Sequence, residues 1–411
     1  MASGESMWFL NGNVYFVPGK CNAAFYDFNN CKLYSINSEA KELVQRLLQH
    51  EELELNQQEK GYIDNLLNCR ILTENEVPLH SIKDLKSPYS FNFAWIEVTN
   101  ICNLKCSHCY EEATTKCGRK MSFDIYKHII DELELMGISK IQLIGGEPFC
   151  LGEDIFEYLD YANMKFTYIE IFTNGTLIRD SWIDRLNCYE GIHIALSLYS
   201  YDKKEHAKVT KDNCSWDLTN DTIKKLRKHG IPYRVCNVLM DGVSIGEQNT
   251  DLYRLHTDKD VVRITGRANV RLLNEDLLKK KLITKDNFTG KLSKEFTKRC
   301  IDGHNCFSSK LYFALDGTIY PCVMERRNNY GTIDTGSRLK DILSDEFQKI
   351  NKDYIDTCKE CEFRYTCFDC RADSKGNNFL SKPWYCTYDP ETGQWKDLNK
   401  CIEEILSENN I

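Results

Sequence analysis

The pattern of hydrophobic and polar positions predicts a small α/β unit at the start of the chain. Three short alternating stretches at 8–18, 22–28 and 31–36 are rich in aromatic and β-branched residues and predict strands. Apolar positions then recur at helical spacing from Ser38, a candidate N-cap, and a second helix is expected after Asn56. A strand-like stretch at 69–72 follows, so the order is that of a winged-helix binding module.

Residues 91–266 alternate between strand-like and helix-like stretches. The helical stretches include 123–137 and 219–230. The predicted strands are 93–99, 141–145, 168–174, 192–199, 233–240 and 261–265. Repeated βα units imply a parallel sheet with helices on its outer side. These units are fewer than the eight of a closed barrel, so we expect an α/β fold built on a partial, open barrel of the (β/α)6 type.

A third region, within residues 300–386, is rich in cysteine and has little regular periodicity. Such a segment is expected to need metal to hold it together. The expected domains are therefore a winged-helix-like domain with its linker, the partial barrel, the cysteine-rich domain and a C-terminal helix, at 1–88, 89–285, 286–390 and 391–411.

Composition narrows the classes of function. The formal net charge is −8, which argues against nucleic acid as a partner. The sequence has no apolar run of membrane-spanning length and its N-terminus does not resemble a signal peptide, so we expect a cytoplasmic protein with no membrane partner. The chain has 20 cysteines. In a cytosolic chain of this length, clustered cysteines more often bind metal or take part in catalysis than form disulfides.

Cys102, Cys106 and Cys109 form a C-x3-C-x2-C triplet directly after the first strand of the predicted barrel. Three thiolates on a tight loop can hold three irons of a [4Fe–4S] cube, which leaves the fourth iron open to another ligand. An open coordination position is typical of catalytic metal sites. The triplet, with His108 at the position before its last cysteine, resembles the signature of the radical S-adenosylmethionine (SAM) family.

That resemblance implies a cofactor arrangement and assigns site residues. The open iron would bind SAM, and an electron from the cluster would cleave it to a 5′-deoxyadenosyl radical that abstracts a hydrogen atom from the substrate. The three cysteines of the triplet are thus the catalytic metal ligands. The SAM contacts implied by the family motifs are His108, Gly145, Gly146, Glu147, Pro148, Asn174 and Ser197.

The cysteines near the C-terminus resemble the SPASM domain, which carries two auxiliary [4Fe–4S] clusters, so three clusters are expected in all. The family pattern assigns one auxiliary cluster to Cys300, Cys306, Cys322 and Cys370. It assigns the other to Cys358, Cys361, Cys367 and Cys386. The role of Cys300 is left open, because without it the first of these clusters would have an open iron. A hairpin is expected at Asp316-Gly317.

The resemblance points to a maturase of a ribosomally synthesised peptide, of the thioether-forming sactipeptide or ranthipeptide type. The N-terminal unit resembles the element that captures leader peptides by adding a strand to a sheet edge. The expected partners are a precursor peptide and an electron donor such as flavodoxin or ferredoxin.

The same parts could perform other reactions, so alternatives stay open. Carbon–carbon or carbon–oxygen crosslinking and epimerisation use the same architecture. An anaerobic sulfatase maturase is a further alternative, although that family usually has Asp where Val323 stands here. The non-enzyme alternative is a zinc-bound interaction scaffold.

Overall fold

The structure is a computed structural model and describes residues 7–78, 80–85, 90–113, 118–247, 257–304, 306–376 and 378–407. Its strands are β1 Phe9–Leu10, β2 Val14–Pro18, β3 Ala23–Asp27, β4 Lys32–Ile36, β5 Leu72–Thr73, β6 Phe93–Thr99, β7 Lys140–Gly145, β8 Tyr168–Thr173, β9 Ile192–Ser197, β10 Tyr233–Leu239, β11 Thr257–Val261, β12 Lys310–Phe313, β13 Thr318–Tyr320, β14 Gly331–Thr332, β15 Tyr388–Asp389 and β16 Gln394–Trp395. Its α-helices are α1 Ser38–Leu48, α2 Gln57–Asn68, α3 Phe123–Leu135, α4 Asp154–Asn163, α5 Asp180–Leu186, α6 Lys203–Thr210, α7 Ser215–His229, α8 Glu275–Lys281, α9 Lys294–Asp302, α10 Leu339–Ile342, α11 Asp345–Gln348 and α12 Leu398–Ser407.

These elements form two compact units, each assembled from separate stretches of the chain. The first unit contains residues 1–89, 282–305 and 349–401, and the second contains 90–281, 306–348 and 402–411. Among the described residues, no helix is both long enough and apolar enough to cross a bilayer.

A nine-stranded sheet organises the second unit, in the order β11-β10-β9-β8-β7-β6-β12-β13-β14. All strands from β11 to β12 run parallel, and β13 and β14 are antiparallel. Strands such as β7 are buried along most of their length, as expected for a sheet with helices against it. The α/β class and the mainly parallel sheet are confirmed, and β6 to β10 lie within two residues of their predicted positions.

The hairpin of β12 and β13 extends this sheet beyond β6. Lys310 pairs with Phe93 in a parallel register, although the two residues are far apart in sequence. Gly317 makes the turn with φ of 83°, and a Cβ there would lie 2.5 Å from the carbonyl oxygen of Ile333. Only glycine suits this position, which agrees with the turn expected at Asp316-Gly317.

The first unit begins with an antiparallel sheet of β2, β3 and β4 that is followed by α1 and α2. Asn56 caps α2 in a capping box with Glu59, as expected from the sequence. Asn37, not Ser38, caps α1. The short β5 returns to pair with β1.

The same unit also contains part of the C-terminal cysteine-rich segment, residues 300–305 and 349–386. The Tyr26 hydroxyl of β3 donates a hydrogen bond to the Glu362 carbonyl oxygen at 2.9 Å, and the Lys20 amide donates to the Glu360 carbonyl oxygen at 2.7 Å. Tyr26 also belongs to a buried apolar cluster that contains Tyr365. Near the end of the chain, β16 pairs with β15 and α12 begins only at Leu398.

Candidate active site

The loop that follows β6 opens onto a cavity of about 310 Å³ in the second unit. Cys102, Cys106 and Cys109 all line this cavity, as do residues at the ends of β7, β8, β9 and β10. The carboxyl ends of parallel strands meet at one edge of a sheet, and ligands bind there in α/β folds. The structure therefore brings the predicted triplet and several of the predicted cofactor contacts to one cavity.

Burial makes these thiols poor acids in the protein alone. It raises the pKa of Cys102 and of Cys106 to about 12, and for Cys106 the neighbouring Cys109 adds to the effect. A thiolate at either position needs a compensating positive charge, and coordination to a metal supplies one. The loop is thus suited to thiolates only when a metal is bound.

Gly145 and Gly146 let the end of β7 lie directly against the cysteine loop. The Gly146 amide donates to the Thr99 carbonyl oxygen at 2.7 Å. A Cβ at Gly145 would lie 2.0 Å from that same oxygen, and a Cβ at Gly146 would lie 2.2 Å from the carbonyl oxygen of Ile101. Neither position has room for a side chain, so the backbone itself lines the cavity here.

Glu147 lies behind the cavity wall. It is fully buried, and its carboxylate accepts hydrogen bonds from the Thr173 hydroxyl at 2.6 Å, the Asn174 amide at 2.7 Å and the Phe149 amide at 3.1 Å. Pro148 begins a short 3-10 helix and is buried as well. In the structure these two residues hold neighbouring backbone in place, whereas the glycines before them face the cavity.

Asn174, Ser197 and His108 line the cavity as predicted contacts would. The Asn174 side chain donates to Asn103 Oδ1 of the cysteine loop at 2.9 Å. His108 packs edge-on against Tyr199 with ring centroids 4.7 Å apart, and burial lowers its pKa to about 4. Its buried Nδ1 has no hydrogen-bond partner among the described residues, so the neutral ring can still bond to a ligand.

Three residues at this site were missed by sequence reasoning. Tyr199 lines the cavity and lies within hydrogen-bonding reach of Ser197 and Cys106. Arg267 binds the cysteine loop, with its amide 3.1 Å from the Cys109 carbonyl oxygen and its guanidinium 3.4 Å from that of Cys106. Gly266 makes this approach possible, since a Cβ there would lie 2.5 Å from the Cys109 carbonyl oxygen.

The remaining cavity wall is mainly apolar. It includes Trp95, Phe172, Val323 and Met324, together with a charged pair of Asp260 and Arg263, whose side chains are 3.0 Å apart. Val323 presents no acid where the sulfatase maturases usually have Asp. The cavity thus combines an apolar wall with several polar groups, which is typical of small-molecule sites.

The cysteines of the C-terminal segment divide between the two units. Cys358, Cys361, Cys367 and Cys386, the set assigned to one auxiliary cluster, line a single pocket of the first unit. Burial raises the pKa of Cys367 to about 12 and that of Cys361 well above its ordinary value. The raised pKa values of Cys361 and Cys367, like those of Cys102 and Cys106 in the triplet, suit a metal-bound state.

The other auxiliary set is not brought together within either unit. In the second unit, Cys306 adds to the effect of burial in raising the pKa of Cys322. Cys300 and Cys370 belong to the first unit, where Cys300 shares a pocket with Cys367. The assignment of this set of ligands to one cluster remains a prediction.

The residues present fit an iron–sulfur cluster and SAM. The donors at the loop are thiols only, the glycines form a cradle that a Cβ would fill, and His108 keeps an unused nitrogen. Within the described ranges, no three His, Cys, Asp or Glu side chains are placed to hold a single metal ion. A cubane binds its thiolates through separate irons, so its ligands do not converge on one point.

Comparisons with known proteins relate this chain to radical SAM enzymes. A sequence profile described as the radical SAM superfamily matches residues 96–255. The antilisterial bacteriocin subtilosin biosynthesis protein AlbA of Bacillus subtilis is 33% identical over 174 residues, which are 42% of this chain and 37% of AlbA. The sporulation killing factor maturation protein SkfB of the same species is 27% identical over 174 residues, which are 42% of this chain and 40% of SkfB. The chain thus matches about two fifths of the length of these curated relatives.

Solved structures share the fold. Streptococcus suis SuiB bound to S-adenosylmethionine superposes with a TM-score of 0.50 and 15% identity, over 92% of this chain and 99% of that one. The protein anSMEcpe with bound AdoMet and the Cp18Cys peptide superposes with a TM-score of 0.53 and 17% identity, over 76% of this chain and 96% of that one. Identities this low support the shared fold and not a shared substrate.

Proposed function

We propose that this chain, a radical SAM enzyme related to peptide maturases, modifies a ribosomally synthesised precursor peptide. One observation carries the proposal. The cysteine triplet, the two glycines, Asn174 and Ser197 line one cavity at the edge of a parallel sheet. The names of the relatives, which refer to subtilosin biosynthesis and to maturation of a killing factor, support a peptide substrate.

Each part of the cavity has a role in this proposal. Cys102, Cys106 and Cys109 would hold the radical cluster, and the glycine backbone, His108, Asn174 and Ser197 would receive SAM. These groups, when bound, supply the one-electron chemistry that removes a hydrogen atom from the substrate. Glu147 does not face the cavity. Its buried carboxylate accepts a hydrogen bond from the Asn174 amide and so holds that residue in place. The apolar wall around Trp95 and Met324 would exclude water from a reactive substrate.

The bond we favour is a thioether between a cysteine sulfur and a peptide carbon. Auxiliary clusters on the C-terminal cysteines would then take up the surplus electron. Carbon–carbon or carbon–oxygen crosslinking and epimerisation are the second candidates. An anaerobic sulfatase maturase is disfavoured, because the apolar Val323 lines the cavity in place of the acid.

The leader of the precursor would bind the sheet of the first unit. β4 is an edge strand among the described residues, and its side chains are partly or fully exposed. An extended peptide can pair with such an edge through backbone hydrogen bonds. SuiB has been crystallised bound to its precursor peptide SuiA, which supports a peptide partner for this fold. A flavodoxin or ferredoxin would supply the electron for the radical cluster.

Anaerobic purification with iron and SAM-cleavage analysis tests the proposal. We expect roughly twelve irons per chain, as three [4Fe–4S] clusters require, and release of 5′-deoxyadenosine with dithionite and SAM. The C102A/C106A/C109A variant should lose about a third of the iron and all SAM cleavage, because only the radical cluster is removed.

A matched control is Cys188→Ala, since Cys188 is exposed and lies outside both pockets. It should keep its iron and its SAM cleavage. Zinc in place of iron, without 5′-deoxyadenosine, would contradict the proposal and favour the interaction scaffold.

A further inference from the structure

A buried group of charges lies among the cysteines of the first unit. Lys352, Asp369 and Arg371 line one pocket, and the exposed fractions of these residues are 5%, 1% and 1%. Lys352 Nζ lies 2.6 Å from Asp369 Oδ1, and the Arg371 guanidinium contacts the other carboxylate oxygen. Two cations thus share one anion, which leaves the group with a net charge of +1.

His304 lies in the same pocket, with Nε2 3.0 Å from the Asp369 carbonyl oxygen and 3.4 Å from Asp369 Oδ1. Its imidazole adds no negative charge to the group. The contact between Lys352 Nζ and Asp369 Oδ1 lies outside hydrogen-bond geometry, and neither atom has a hydrogen-bond partner among the described residues. A buried charge that is paired this poorly is costly unless an anion lies nearby.

Cysteine sulfurs are the candidate anions. Cys300 and Cys367 line the same pocket as Lys352, and Lys352 also lines the pocket of Cys358, Cys361, Cys367 and Cys386. Lys352 and Cys367 thus line both pockets, which places the buried charge beside this set of cysteines.

We propose that Lys352 is a positioning residue for redox chemistry, whose charge stabilises the reduced state of the auxiliary cluster held by Cys358, Cys361, Cys367 and Cys386. This inference rests on the proposed function, which supplies the cluster. On reduction the cluster gains one electron and becomes one charge more negative, and the electron is the one that the substrate radical gives up as it is oxidised. A buried positive charge favours that state, whereas a cation in water is screened.

Four variants of the full chain distinguish an effect of the Lys352 charge on the cluster from an effect of structural damage. In the C102A/C106A/C109A background, which removes the radical cluster, we would prepare K352M, D369N, the double variant K352M/D369N and the control K359M. The net charge of the group is 0 in K352M, +2 in D369N and again +1 in the double variant. Lys359 is half-exposed and follows the ligand Cys358, so it tests a solvated charge near the same cluster. The readouts are iron per chain and the midpoint potential from an EPR-monitored redox titration.

The expected order of potentials follows the charge. At any fixed potential, K352M should show about a tenfold lower ratio of reduced to oxidised cluster, which is about 59 mV for one electron. D369N should shift in the opposite direction, and the double variant should return close to the parent. K359M should keep the ratio of reduced to oxidised cluster within about twofold of the parent's ratio, because water screens the charge of Lys359.

Each outcome decides the inference. A K352M variant with full iron and an unchanged potential would overturn it, as would a double variant no closer to the parent than K352M. If K352M loses iron, recovery of both iron and potential in the double variant supports the charge, and no recovery overturns it. A parent protein without auxiliary iron would instead contradict the proposed auxiliary clusters, so the two failures are distinguishable.

Discussion

Glu147 shows how a single residue can support the cavity without facing it. Its carboxylate accepts three hydrogen bonds from Thr173, Asn174 and Phe149 and is fully buried. Burial dominates over these bonds and raises its pKa to about 7. The folded state therefore holds the Glu147 proton to a higher pH than the unfolded chain does.

This shift predicts a pH dependence of stability. The contribution of Glu147 is fully present below its ordinary pKa of 4.5 and is lost as the pH rises through about 7. The E147Q variant lacks this titration and places an amide donor among three donors, which should cost about 1–3 kcal/mol where the wild-type carboxyl is protonated. The stability gap, taken as wild type minus E147Q, should fall by about 1.4 kcal/mol per pH unit from pH 4.5 to 7. The gap should therefore reach zero and change sign within this range.

Urea unfolding of the iron-free chain at several pH values measures this gap. The pKa of Glu97 is raised as well, but Glu97 is present in both proteins, so its effect cancels. A gap that stays constant or increases with rising pH would rule out the raised pKa of Glu147.

Site residues that belong to a short sequence motif could be predicted. Site residues that only the tertiary fold brings to the cavity could not. The triplet, the two glycines, Asn174 and Ser197 were found from short motifs at strand ends, and all of them line the cavity. Tyr199 and Arg267 carry no such motif, and only the tertiary fold brings Arg267 to the carbonyl oxygens of the cysteine loop. The cap of α1 was misplaced by one residue, since both Asn37 and Ser38 are good caps.

At the scale of elements, α2 contains one residue, Gly61, that weakens the helix. Gly61 lies inside this helix on its exposed side. A Cβ there would meet no atom within 4 Å. Glycine inside a helix costs conformational entropy without a compensating contact here.

Gly61→Ala should therefore stabilise the first unit by about 0.8–1 kcal/mol. A matched control is Gly137→Ala, which also enters open space, but at a φ of 74°. Alanine in that left-handed conformation should cost about 1–2 kcal/mol. Thermal unfolding followed by circular dichroism compares the stability of the two variants with that of the wild type. A change in stability of the same sign for both variants would contradict this account.

Elements with strong local periodicity were predicted well, whereas sheet partners were not. The strands β6 to β10 and the helices α3 and α7 follow their apolar patterns. The sixth strand was expected at 261–265 but is observed at Thr257–Val261. The parallel pairing of β12 with β6 depends on residues far apart in sequence, and no local pattern encodes it.

At the scale of the whole molecule, the first unit joins the N-terminal segment to two segments that come much later in the sequence. The apolar cluster beneath β2 and β3 includes Leu292, Ile301 and Tyr365 from later segments. The expected domains at 1–88 and 286–390 were separate because composition changes between them. Composition cannot reveal that distant segments pack into one unit.

Tyr26→Phe tests the contact between β3 and the later segments of the first unit. The change removes a buried hydrogen bond to the Glu362 carbonyl oxygen, which should cost about 1–3 kcal/mol. Limited proteolysis should then cut the first unit faster, while fragments of the second unit stay unchanged. Tyr34→Phe, on the neighbouring strand and half-buried, is the control and should change little. Equal protection of both variants would mean that the bond contributes nothing.

The joint between β3 and the cysteine-rich segment has a consequence for synthesis of the protein. The hydrogen-bond partner of Tyr26, Glu362, lies 336 residues later in the sequence and is synthesised last of the two. At ~5–20 residues per second, the ribosome needs roughly 20–70 s to make that partner. During this delay the side of the N-terminal sheet that carries Tyr26 lacks the cover that Leu292, Ile301 and Tyr365 provide in the folded protein. This exposure makes the nascent chain a candidate client for chaperones.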